Sequence, residues 1–198
     1  DWLKTNLARF TNMLQGQRDL VRVGQMLLSE LAPLVGAQQG VLYQSTVDNK
    51  ERFPTLRLLA AYADDGKDGH AASLSFGQGL VGQCAVDRRR LLITELPPDT
   101  VRVGSGLFSA LPRNVIVLPV QYEGEVKAVI ELASLGSYTA SQLAFLDQLT
   151  SSIGIVLNSI EATMQTEGLL TQSQQLAGEL QTQQKELQQT NEQLAQKA

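Results

Sequence analysis

The chain has 198 residues, 43% of them apolar, and a formal net charge of -4, which is room for one domain of ordinary size plus extensions and no charge argument for nucleic-acid binding. One cysteine and one histidine exclude an internal disulfide, a multi-cysteine zinc site and most acid–base triads, and suit a reducing compartment. No signal peptide is visible and no apolar run approaches the length of a bilayer span; the pattern starts and stops midway, so the chain is expected to be a piece of a longer one.

Residues 1–16 read as a helix, with Leu3, Leu7, Phe10 and Leu14 at spacings of four, three and four, a stripe as narrow as a coiled-coil seam. A second helix starts at Asp19, a good N-cap, runs along Leu20, Val23, Leu27, Leu31 and Leu34, and ends at Pro33 and Gly36. Gly40–Val47 is a strand, Asp48–Glu51 its turn and Thr55–Ala63 the returning strand. The loop Asp64–His70 is polar, and His70 is expected to be exposed there. A short strand follows near Ser73–Ser75. FGQGLVGQCA, Phe76–Ala85, is a glycine-rich loop entering a short helix, on which Leu80, Val81 and Cys84 share a face. Its GxGxxG spacing follows no long buried strand and no Lys-Ser/Thr pair comes after it, so it does not read as a nucleotide site. The basic run Arg88–Arg90 reads as a solvated turn, Arg90–Leu96 as another strand, and Pro97–Arg113 as a long connection of the kind that forms lids and binding loops.

Asn114–Ser134, NVIVLPVQYEGEVKAVIELAS, reads as two strands closed by a Glu123-Gly124 turn. Val115–Leu118 is apolar at every position, as in a mid-sheet strand covered on both faces. Direct pairing from the turn sets Tyr122 opposite Glu125, Leu118 opposite Val129 and Ile116 opposite Glu131. One face then carries Val115, Val117, Val126, Ile130 and Leu132. The other carries Ile116, Leu118, Val120, Val129 and Glu131. A carboxylate in such a strand is costly to bury unpaired; Glu131 either leans to water, pairs with an arginine, or is a polar contact in a ligand cavity.

From Thr139, an N-cap, the chain reads as helix to its end. Leu143, Leu146, Leu149, Ile153, Leu157, Ile160 and Met164 mark one side. Beyond Glu167 the composition turns to Gln, Glu, Thr and Leu, and Leu180, Leu187 and Leu194 recur every seven residues with Ala177, Gln184 and Asn191 between them, a coiled-coil pattern. The phase breaks at Glu167-Gly168. A disordered Gln-rich tail is the alternative.

Phe76–Ala85, Leu91–Leu96, the VLPV of Val117–Val120 and the EGEVKAVIEL of Glu123–Leu132 stand in the order and spacing that resemble the GAF domain, over about residues 20–160. The flanks WLKTNLARFTNMLQGQRDL, IVLNSIEATMQT and LQQTNEQL are similar to segments around the GAF domain of bacterial hybrid sensor histidine kinases, where it follows HAMP repeats and precedes the kinase dimerisation helices. The resemblance implies an α+β fold: a GAF/PAS-like antiparallel sheet with terminal helices on one face, and loops and a short helix over a small-molecule cavity on the other, extended by a C-terminal coiled-coil helix. It also implies a linker helix over 1–18, a GAF domain over 19–166 and a signalling coiled coil over 167–198. No phosphoacceptor histidine, ATP-binding region or receiver is present, so the chain is expected to catalyse nothing; the parent is expected to be a histidine protein kinase of a two-component system, cytoplasmic in this part and itself membrane-associated or not.

No cofactor is expected. Bilin attachment uses a Cys commonly beside a His, whereas Cys84 stands between Gln83 and Ala85. The Asn-Lys…Phe…Asp-Glu pattern of cyclic-nucleotide GAF domains is imitated by Asn49-Lys50 and Phe53, without the acidic pair. Haem through His70 has little support, and GAF-type methionine sulfoxide reductases use several cysteines. The cavity, with ligand unknown, is expected among Tyr43, Phe76, Val81, Cys84, Ile116, Leu118, Val129 and Glu131, roofed by Pro97–Arg113, with Arg102 and Arg113 nearest to balance Glu131 or to hold an anionic ligand. A homodimer is expected through Leu3, Leu7, Phe10, Leu14, Ile153, Leu157, Ile160, Met164, Leu180, Leu187, Asn191 and Leu194. Two other readings stay open: a relay module with no ligand, and a redox sensor through Cys84, which otherwise reads as a small buried apolar residue.

Overall fold

The computed structural model describes residues 1–47, 50, 52–64 and 69–197; Asp48, Asn49 and Glu51 of the expected turn, with Asn49 of its Asn-Lys pair, and 65–68 of the polar loop lie outside the described residues. The elements are α1 (Trp2–Leu14), α2 (Leu20–Leu34), β1 (Gln39–Thr46), β2 (Thr55–Tyr62), β3 (Ser73–Ser75), α3 (Gly79–Asp87), β4 (Leu91–Ile93), β5 (Val103–Gly104), β6 (Ser109–Ala110), β7 (Asn114–Tyr122), β8 (Glu125–Ser134) and α4 (Ala140–Gln196). Six strands form one antiparallel sheet in the order β3-β2-β1-β8-β7-β4, and β5 pairs with β6 apart from it. The chain divides into two compact units, residues 1–160 and 161–198.

The helix starts follow the sequence. The Asp19 carboxylate accepts from the Val21 and Arg22 amides at 3.0 and 3.3 Å. Thr139 Oγ1 accepts from the Gln142 amide while the Gln142 side chain accepts from the Thr139 amide, the reciprocal capping box that opens α4.

The hairpin closes at Glu123 and Gly124, both at positive φ, as a two-residue turn that twists with its strands requires. Tyr122 faces Glu125 as expected, but the register slips between Val120 and Gln121: Gln121 faces Val126 and Val120 faces Ala128. Lys127 is therefore the extra residue of a β-bulge. From there on every pair moves by one, so Leu118 faces Ile130 and Val117 faces Glu131. A shift of one residue exchanges the faces of a strand, so the expected faces are corrected. Ile116, Leu118, Val120, Ala128, Ile130 and Leu132 share one apolar cluster. Val115, Val117, Val126 and Val129 share the other.

The first cluster is the main core, where the sheet meets α1, α2 and the part of α4 up to Ile160. Phe10, Leu14, Leu27, Leu28, Leu31, Phe145, Leu149, Ile153 and Leu157 are buried in it. The Phe145 ring meets Trp2 and Phe10 edge-on, with centroids 5.2 and 5.6 Å apart. Phe10, Leu14, Ile153, Leu157 and Ile160, expected at a seam between two copies, are at most 3% exposed within one chain and hold its own helices together; Leu3 and Leu7 pack partly buried against the same cluster. Within one chain the four-three spacing of α1 serves as a core face. By length and composition α4 also contains a stretch apolar enough to cross a membrane, contrary to the reading above, but its Phe145, Leu146, Leu149, Ile153, Leu157 and Ile160 are buried against the sheet.

Gly154 sets the closest approach between α4 and the sheet. A Cβ placed there would stand 2.0 Å from the Gln121 carbonyl oxygen, so only glycine lets the helix backbone lie on β7 beside the bulge. Residues 161–196 are helical, and all of them are exposed except Glu161, which is half-buried. Met164, Leu180, Leu187 and Leu194 are 52–63% exposed.

Candidate functional site

The second face of the sheet is covered differently. Helix α3 lies over its middle, packing Val81, Cys84 and Ala85 against Val117 and Val129. Gly82 allows this seating, since a Cβ there would come within 2.5 Å of the Ser75 carbonyl oxygen. At the end of the face that α3 leaves uncovered, a cavity of about 180 Å³ opens. Its floor is Gly40 and Val41 of β1, Val115 of β7, and Glu131 and Ala133 of β8. Thr100, Val101 and Pro112, from the long connection expected as a roof, close it above, and Gln39 and His70 stand at its sides.

The bulge at Lys127 puts Glu131 here, since without it β8 would turn that carboxylate the other way. Val41 faces Glu131 across the β1–β8 ladder and Val117 faces it across the β7–β8 ladder. Burial pushes the Glu131 carboxyl above its ordinary value, partly offset by the nearby His70 ring. The Tyr43 hydroxyl is raised as well, first by burial and then by the charge of Glu131, and it donates to the Ala71 carbonyl at 3.0 Å.

Of the residues expected around the cavity, Glu131 lines it. Tyr43, Val81, Cys84 and Val129 lie on the same sheet face but in the packed cluster under α3, and Phe76 packs partly buried against that cluster. Ile116 and Leu118 are corrected to the opposite face, in the helix-covered core, because of the register shift. Arg102 does not balance Glu131: its guanidinium donates to the Ser109 hydroxyl and carbonyl at 3.0 and 2.9 Å, bracing the β5–β6 hairpin. The Arg113 side chain is exposed, and its backbone amide bonds the Ser134 carbonyl at 2.7 Å. His70, expected in the open, is instead half-buried at the cavity wall, 3.8 Å from Asp64.

Thr100, Val101 and Pro112 belong to the expected roof, whereas Gln39, Gly40, Val41, Val115 and Ala133 were not expected at the cavity. Gln39 and Gly40 open β1 and carry no chemistry that a sequence pattern flags. Ala133 would have been found by counting two residues on from Glu131. Cys84 is wholly buried, with its thiol directed at the Arg89 carbonyl 3.3 Å away. Burial, then the charges of Asp87 and Glu131, push that thiol up to about 12, which holds it protonated at neutral pH and far from a reactive thiolate. Among the described residues no group of three or more His, Cys, Asp or Glu side chains could hold a metal.

The fold recurs in solved structures at low sequence identity. The GAF domain of a Coxiella burnetii phosphoenolpyruvate-protein phosphotransferase superposes with a TM-score of 0.63 at 16% identity, covering 84% of this chain and 96% of that one. The GAF domain of an Acinetobacter phosphoenolpyruvate-protein phosphotransferase does so with a TM-score of 0.60 at 17% identity, covering 79% and 92%. A free methionine-R-sulfoxide reductase from Neisseria meningitidis, solved with its substrate, gives 0.61 at 17% identity, covering 79% and 89%. No curated protein matches the sequence. The family model described as the GAF domain matches residues 17–158, and with the antiparallel sheet, its helices and its loop-roofed face this places the chain in the GAF domain family, a family of non-catalytic sensory modules.

Proposed function

We propose that this chain is the sensory and relay module of a two-component histidine kinase: it binds a small molecule in the cavity at Glu131 and passes the event through α4. The observation that carries this reading is the division of the sheet between two tasks. The cavity rests on β1, β8 and β7, and the opposite face of the sheet packs in one core with α1, α2 and the first part of α4, which meets β7 at Gly154. A ligand that shifts β7 or β8 acts directly on the helix backbone at Gly154. A module with an empty cavity, moved only by upstream helices, is the competing reading; the apolar floor with one carboxylate favours a ligand.

The module works as a parallel homodimer joined through residues 161–196. A helix exposed on all sides has no core of its own to hold it, and Leu180, Leu187 and Leu194 repeat at the spacing of a coiled-coil seam, with the polar Asn191 to set register. Met164, before the phase break at Glu167-Gly168, is a further exposed apolar position on the helix. The flanking sequences, similar to those between HAMP repeats and kinase dimerisation helices, support placement in such a parent, with this part on the cytoplasmic side. The redox reading through Cys84 draws no support from a buried, protonated thiol.

The test is cross-linking. In a Cys84→Ala background, Leu187→Cys places one thiol per chain at a seam position. Mild oxidation at tens of micromolar is expected to give a covalent dimer, and a chain ending at Leu170 is expected to remain folded and largely monomeric. Recovery of monomer alone from the cysteine variant contradicts the dimer.

A further inference from the structure

We infer that the cavity at Glu131 takes a small organic cation, a protonated amine on a compact apolar body. This rests on the reading of the cavity as a binding site and goes beyond it by naming the class of ligand.

Size is the first constraint. A cavity of about 150 Å³ holds benzene, so about 180 Å³ holds a ring with one or two further heavy atoms. Pockets that bury drug-sized ligands run roughly 300–1,000 Å³, so the cavity favours a smaller body. The walls set the body of the ligand: Val41, Val101, Pro112, Val115 and Ala133 are apolar, and an alkyl or aryl group loses water against them.

Charge is the second constraint. Among the described residues Glu131 is the only carboxylate lining the cavity, and no Lys or Arg among them forms an ion pair with it. The two arginines within the roof connection are engaged or exposed elsewhere, Arg102 on Ser109 and Arg113 at the surface. Among the described residues His70 is the one basic group at the wall, and it stands 3.8 Å from Asp64. An acidic ligand would meet a carboxylate with no Lys or Arg among the described residues to offset it. A neutral ligand would leave the carboxylate desolvated without a counter-charge, which is costly. An ammonium supplies that counter-charge and donates charge-assisted hydrogen bonds to it, and the Gln39 side chain beside it offers a further polar contact. Burial pushes the Glu131 carboxyl up, only partly offset by His70, and a bound cation would act against that push.

Three probes of one shape separate the classes: benzylamine, which is a cation at pH 7.5, benzyl alcohol, which is neutral, and benzoate, an anion. Binding to the intact protein is read by NMR titration of backbone amides, in wild type and in Glu131→Gln. Benzylamine is expected to bind wild type at least tenfold more tightly than benzyl alcohol, with benzoate weakest, and with the shifts centred on β1 and β8. In Glu131→Gln, checked for an unchanged fold by its amide spectrum, the preference for the amine over the alcohol is expected to vanish. If the alcohol or benzoate binds wild type as tightly as the amine, or if Glu131→Gln keeps the preference, the cation assignment is overturned while the cavity stands as a binding site. If none of the three binds, the cation assignment is overturned as well, and a co-purified ligand of another class then decides the sensory reading separately.

Discussion

Glu131 concentrates the consequences of this fold in one side chain. Its carboxyl is raised by burial, so the folded state holds a proton there more tightly than the unfolded chain does. Stability from this group is therefore fully present below its unfolded value and is lost as pH rises through the higher folded value. Glu131→Gln carries no such group. Its melting temperature is expected to exceed that of wild type at pH 7, and the difference is expected to shrink or reverse as pH is lowered toward 4.5, the ordinary value. Melting curves of both proteins between pH 4 and 8 check this; a difference independent of pH would mean that the carboxyl is not held desolvated. The sequence alone singles out Glu131 as the polar residue in an apolar strand, but places it opposite Ile116. The error was one residue of register. A bulge needs no special residue type, and at Val126–Ala128 nothing in the local composition marks one. His70 was misplaced for a related reason: a polar loop predicts exposure, and only the tertiary path of the chain brings its end back over β1 and β8.

At the scale of elements, the arrangement turns on where α4 touches the sheet. The Gly154 backbone lies on the Gln121 carbonyl, and a methyl group has no room there. Gly154→Ala raises intrinsic helix propensity by roughly 1 kcal/mol, yet it is expected to lower stability by about 1–3 kcal/mol, because seating the methyl must push α4 off β7 or distort both. Gly168→Ala is the control. No atom lies within 4 Å of its Cβ position, so the same change there keeps the propensity gain. Chemical denaturation of the two variants measures both signs, and a neutral Gly154→Ala would show that the contact is slack. Element order was legible in the sequence because caps, glycines and periodicity agree: Asp19, Thr139 and Glu123-Gly124 each start or turn the chain where they were read. What could not be read was the ownership of an apolar stripe. Phe10, Leu14, Ile153 and Leu157 have the spacing of a seam between chains and of a core within one, and periodicity is the same for both. Their burial beside Phe145 decides for the core.

For the whole molecule, residues 1–160 supply a sheet with a cavity on one face and a helix bed on the other, and residues 161–196 supply a helix with nothing of its own to pack on. The composition shift after Glu167 made that second part legible, although the structural division falls earlier, at Ile160, the last residue of α4 buried in the core. The most direct test of the account is native mass spectrometry of the intact protein, purified gently from its expression host. A species of twice the 21.5 kDa chain mass is expected, carrying a small adduct released on mild activation, with the adduct absent from Glu131→Gln. A chain recovered only as a bare monomer, with no adduct under any activation, would contradict it.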